Sequence, residues 1–154
     1  MKYINSIWNF LLESIESYNW EFDSDNDNKV KYFFIDNMNN KYLVEFKNKS
    51  GKSRIVEYEL SYYVYDSSKK SYDVNKLVNV NPYKTIKTVL GDILHDFIER
   101  NPKVKKITMV GLPKEREREY VSQRTKMYVR YLERNPLPGW KMVNYGNKIN
   151  LIKI

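Results

Sequence analysis

Residues 54–66 alternate with a strict period of two, and this constrains the fold more than any other feature of the chain. Val56, Tyr58, Leu60, Tyr62 and Val64 share one face, while Glu57, Glu59, Ser61, Tyr63 and Tyr65 share the other. Successive side chains of a strand point to opposite sides, so the stretch predicts a long strand, Arg54–Asp66, with one face on a core. Strands half-buried in this way belong to antiparallel sheets, because strands of all-parallel sheets are apolar on both faces. Two shorter candidates precede it, Val30–Ile35 and Tyr42–Phe46. Asn37–Asn40 and Ser50-Gly51 separate the three with residues that favour turns. The set reads as an antiparallel meander.

Helical periodicity brackets this meander. Ile4, Ile7, Trp8, Leu11, Leu12 and Ile15 fall on a single stripe and predict an amphipathic helix over 3–18, followed by an acidic turn at Asp23–Asn28. The first segment carries Glu13 and Glu16 and no small-residue cleavage site, so it reads as a helix and not as a secretory leader. A short extended piece is expected around Tyr72–Val80. Asn81-Pro82 then opens a helix with Ile86, Val89, Leu90, Ile93, Leu94, Phe97 and Ile98 on one side, which stops at Asn101-Pro102. Residues 104–111 predict a strand, and Pro113 starts a helix that runs to Arg134 with Val121, Thr125, Tyr128 and Leu132 as its core stripe. Trp140–Tyr145 and Ile149–Ile154 form a hairpin around Gly146-Asn147. The expected class is α+β: a single domain over 1–154, with a mixed, mostly antiparallel sheet and helices on its faces. A crossover between a strand near residue 77 and the strand at 104–111 predicts one parallel pair.

A chain of 154 residues with 42% hydrophobic content can bury a real core. It has no cysteine, which excludes disulfides and thiolate metal sites. No apolar run reaches the ~20 residues that span a bilayer, so a cytoplasmic setting is expected. Asp23, Asp25 and Asp27 alternate like the start of a calcium loop, but Asn28 and Phe34 stand where that loop needs glycine and glutamate. His95 is the sole histidine, so no two-histidine metal site can form, and it lies round from its helix's apolar stripe, where solvent exposure is expected. No metal is expected.

Charge is unevenly placed. Residues 1–83 carry a net −1 and residues 84–154 a net +9. In the last helix Arg116, Lys126, Arg130 and Arg134 gather opposite the core stripe with Gln123 among them, and Arg118 and Arg124 flank the row. Rows of this kind contact phosphates, while an exposed helix paired through Glu115, Glu117 and Glu119 is the alternative. The 14 tyrosines include Tyr63 and Tyr65, which on an open sheet face could stack unpaired bases; core and edge packing or a protein-binding patch are the other readings.

From about residue 28 onward the order of elements, with Tyr128 in the last helix and Gly139-Trp140 opening the next strand, resembles the GNAT acetyltransferase fold. The resemblance implies that Tyr128 would protonate the departing thiolate of coenzyme A. The family holds the pyrophosphate with a Q/R-x-x-G-x-G/A loop, where this chain has Pro82, Tyr83, Lys84, Thr85, Ile86 and Lys87 and neither glycine. Side chains there obstruct the close approach of backbone amides, and the proline removes one donor. The segment from Thr88-Val89 to Tyr128, with its TV…F…NP…I…G…RTKMY pattern, is also similar to small proteins of tailed bacteriophages and of Bacteroidetes. The resulting expectation is a non-enzymatic, phage-type accessory protein on a GNAT-like scaffold, meeting a host protein or nucleic acid through Arg116, Arg124, Lys126, Arg130 and Arg134. The alternatives are an acetyltransferase with an atypical acetyl-CoA loop, in which Lys84, Thr85 and Lys87 touch the phosphates, and a virion or assembly component.

Overall fold

A computed structural model describes residues 16–26, 28–52, 54–73, 82–110 and 123–154. β1 (Trp20–Asn26), β2 (Lys29–Ile35), β3 (Lys41–Asn48), β4 (Glu57–Asp66) and β5 (Ser71–Asp73) come first. α1 (Pro82–Ile86), a π-helical segment (Lys87–Ile93) and α2 (Leu94–Arg100) follow one another without a break as a composite helix. β6 (Lys106–Val110), α3 (Gln123–Arg134), β7 (Trp140–Tyr145) and β8 (Lys148–Lys153) complete the described elements.

All eight strands join one sheet in the order β1-β2-β3-β4-β6-β8-β7, with β5 paired to β4. Every pairing is antiparallel except β4 with β6. The class is therefore α+β with a mixed, mostly antiparallel sheet, as the alternation at 54–66 predicts.

Val30, Tyr32 and Phe34, Tyr42, Val44 and Phe46, and Leu60 and Val64 are the buried side chains of one face. The composite helix packs on that face through Val89, Leu90, Ile93, Leu94 and Phe97. Phe97 stacks on Phe46 with ring centroids 3.8 Å apart and meets the Tyr58 edge at 5.1 Å. Thr125, Tyr128 and Leu132 of α3 are buried, as their spacing predicts. The described helices share this one face, where the sequence predicts helices on the sheet's faces generally.

Five expectations need correction or fall partly outside the described residues; of the helix predicted from Pro113 to Arg134, residues 113–122 lie outside them. Asp23–Asn26 belong to β1 and not to a turn. Trp20 and Phe22 alternate inward there, 5.8 and 5.5 Å from the Tyr32 ring, and that packing outweighs the poor strand propensity of Asp and Asn. A bulge between Phe22 and Ser24 marks the compromise. Of the helix predicted over 3–18, residues 3–15 lie outside the described residues, and 16–19 have no helical structure. Of the extended piece at Tyr72–Val80, Tyr72 and Asp73 belong to β5, and 74–80 lie outside the described residues. The parallel partner of β6 is β4, with Tyr58 opposite Ile107 and Leu60 opposite Met109, and not a strand near residue 77. β4 is the longest strand and offers a second edge to pair.

The composite helix begins at Pro82 and ends at Arg100, before Asn101-Pro102, as predicted. Its π-helical middle leaves no mark on the apolar pattern. Gly91 lies within it, and a Cβ there would stand 2.7 Å from the Tyr131 hydroxyl of α3. The missing side chain is what lets α3 approach this closely.

Candidate functional site

β4 and β6 pair only over Glu57–Leu60 and Lys106–Met109, and β5 covers the same edge of β4 only from Val64. Among the described strands, none pairs with residues 61–63 on that side. A cleft of about 190 Å³ opens at this gap, walled by Tyr62, Tyr63, Val89, Leu90, Arg124 and Tyr128. The Arg124 guanidinium sits over the Tyr62 ring, 4.5 Å from its centroid, a cation–π contact. Tyr62 and Tyr128 meet edge to face at 6.3 Å.

Tyr128 is 5% exposed. Burial pushes its phenol well above the ordinary tyrosine range, Tyr62 adds to the rise, and the charge of Arg124 opposes it. Such a group stays protonated at neutral pH, where it cannot serve as a base and is a weaker acid than an exposed tyrosine.

The residues expected to meet coenzyme phosphates do not converge on this cleft. Thr85 is buried, and it lies against the Tyr42 hydroxyl. Lys84 Nζ caps the Tyr18 ring at 4.6 Å. Thr88 Oγ1 donates to the Lys84 carbonyl at 2.7 Å and accepts the Tyr18 N–H at 2.9 Å. Tyr18 in turn stacks on Phe34, Phe34 stacks on Tyr42, and Tyr42 donates to the buried Asp36 carboxylate at 2.9 Å. Asp36 also accepts the Met38 and Asn40 N–H groups. The start of the composite helix is thus closed by side chains. Lys87 lines a shallow polar depression that Tyr18 also borders, with Glu16, Asn19, Trp20 and Asp92.

The basic row divides. Lys126 and Arg130 are exposed one helical turn apart, and no ion pair among the described residues involves either. Arg134 is half-buried at the C-terminus of α3. Arg124 turns into the cleft. Arg116, Arg118 and Val121 lie outside the described residues. Sequence reasoning placed Arg124 on the partner surface and missed its pairing with Tyr62, since nothing in either local pattern ties a strand tyrosine to a helix sixty residues later.

His95 is exposed, as predicted. Its neighbours are engaged: Asp92 accepts the Trp20 indole N–H at 3.3 Å, and Asp96 accepts from the Tyr32 hydroxyl and from Arg100 Nε. Asp23 and Asp25 sit along β1, and the described residues contain no cluster of three or more ligating side chains that could hold a metal. No helix among them is long and apolar enough to cross a membrane.

No protein-family model matches this chain, and no curated protein or solved structure is detectably similar to it.

Proposed function

We propose that this chain is a non-enzymatic, phage-type accessory protein on a GNAT-like scaffold, whose acidic partner, a host protein or nucleic acid, meets the basic C-terminal half. The observation that carries this reading is the pair Lys126 and Arg130, exposed on α3 and free of ion pairs among the described residues. Two unneutralised cations a turn apart attract phosphate or carboxylate groups. A meander leading into the parallel β4–β6 pair, closed by β8 and β7, supports the scaffold. The packing around Thr85 does not fit a coenzyme's diphosphate, because buried side chains stand where backbone amides would have to meet it. The test is retention on immobilised duplex DNA and on an acidic protein. Lys126→Glu with Arg130→Glu abolishes retention, and equal retention of this double variant overturns the reading.

The cleft favours a second reading, an acetyltransferase with an atypical loop. In this reading Tyr128, which burial keeps protonated and which lines the cleft with Arg124, gives its proton to a leaving group. A ligand that binds the folded state must raise its melting temperature. A thermal-shift titration with acetyl-CoA separates the readings: no shift at millimolar ligand ends the enzyme reading, and a saturable shift with acetyl transfer that Tyr128→Phe abolishes establishes it.

A further inference from the structure

The face of the sheet turned away from the described helices carries charge and aromatic rings together. Three of its glutamates are neutralised: Glu45 by Lys29 at 3.9 Å, Glu57 by Lys106 at 3.6 Å, and Glu59 by Lys49 at 3.9 Å. Lys31, Lys41, Lys47, Lys141 and Lys148 then stand on this face with no ion pair among the described residues, against Glu21 and against Asp23, whose charge acts on Tyr72. Lys29 and Lys47 lie directly opposite one another across β2 and β3.

Aromatic rings interrupt this field of lysines. Phe33, Tyr63, Tyr65 and Tyr72 share the face and are each half-buried. Tyr72 meets the Tyr65 ring at 5.3 Å and the Phe33 ring at 6.1 Å. Tyr63 and Tyr65 are two residues apart on one strand, hence about 6.6 Å apart along it. Exposed Ile35 extends the apolar strip beside them.

We propose that this face binds single-stranded nucleic acid, with bases stacked on Tyr63 and the Tyr65–Tyr72 pair and the backbone following the unpaired lysines. Rings flanked by cations on a sheet face that no described helix covers suit unpaired bases, whose π-faces every sequence offers. A duplex keeps its bases stacked on each other and has no face to give them. The inference goes beyond the helix reading, because Lys126 and Arg130 belong to the opposite side of the sheet.

The test is fluorescence anisotropy with a labelled oligo-thymidylate of about twelve nucleotides, between about 50 and 200 mM salt. The wild-type chain binds it. Tyr63→Ala with Tyr65→Ala weakens binding at least about tenfold, while Tyr63→Phe with Tyr65→Phe keeps the rings and keeps the affinity. Lys141→Glu with Lys148→Glu lowers the slope of log Kd against log salt by about 1.4, and this arm decides the matter should the alanine pair fail to fold. Lys126→Glu with Arg130→Glu leaves this binding intact, which separates the sheet face from the helix. Absence of wild-type binding overturns the proposal, as does unchanged affinity in a folded alanine pair. Displacement by polyglutamate at matched charge marks an acidic-protein surface and overturns it as well.

Discussion

Gly91 is the residue whose identity the packing fixes most tightly. A methyl group there meets the Tyr131 hydroxyl at 2.7 Å, yet alanine is also the better helix former by about 1 kcal/mol. Two opposed effects of this kind separate cleanly in a double-mutant cycle. Gly91→Ala alone lowers stability by about 1 kcal/mol, the clash exceeding the propensity gain. In a Tyr131→Phe background the same substitution raises stability by about 0.5–1 kcal/mol; urea unfolding of the four proteins checks both signs. The requirement for glycine was not legible in the sequence, because it comes from a helix forty residues away. The burial of Thr125, Tyr128 and Leu132 was legible, because all three lie on one helical stripe.

At the scale of elements, what could be read was periodicity. β2, β3, β4, β6, β7, β8 and the end of the composite helix lie within a few residues of their predicted positions. β1 escaped because its even positions carry the signal, Trp20 and Phe22, while Asp23, Asp25 and Asn26 give the composition of a loop. The cleft escaped for another reason. It exists because two parallel strands stop pairing at Leu60 and Met109, and a pairing limit leaves no trace in either strand's own pattern. α3 divides its labour by face. Its buried stripe anchors it, Arg124 closes the cleft, and Lys126 and Arg130 point to water. Exchanging the last two for glutamate removes no contact, so the melting temperature of that variant stays within the range of ordinary surface changes, about ±0.5 kcal/mol in stability. Circular dichroism melts check this, and a large loss would assign the two cations a packing role in place of a binding one.

Four tyrosines, Tyr18, Tyr32, Tyr42 and Tyr128, stand among the buried side chains of the described core. Burial raises the phenols of Tyr32, Tyr42 and Tyr128 above their ordinary range, reinforced by Asp96, Asp36 and Tyr62 respectively. Their folded pKa values lie above the unfolded value of about 10, so the unfolded chain loses these protons first as pH rises. The stability they contribute is complete below pH ~10 and falls above it, by about 1.4 kcal/mol per pH unit for each tyrosine. Urea midpoints that hold steady to about pH 9 and drop steeply beyond pH 10 are expected, with a shallower drop in Tyr42→Phe. The charge asymmetry acts on the same scale: a net +9 over residues 84–154 draws anions to that half of the molecule. The salt dependence of nucleic-acid binding tests the account most directly. Log affinity for a duplex of mixed sequence falls linearly with log salt for the wild-type chain, and Lys126→Glu with Arg130→Glu reduces that slope by about 1.8 or removes binding altogether. A slope and an affinity identical in the two proteins would contradict a binding role for the basic helix.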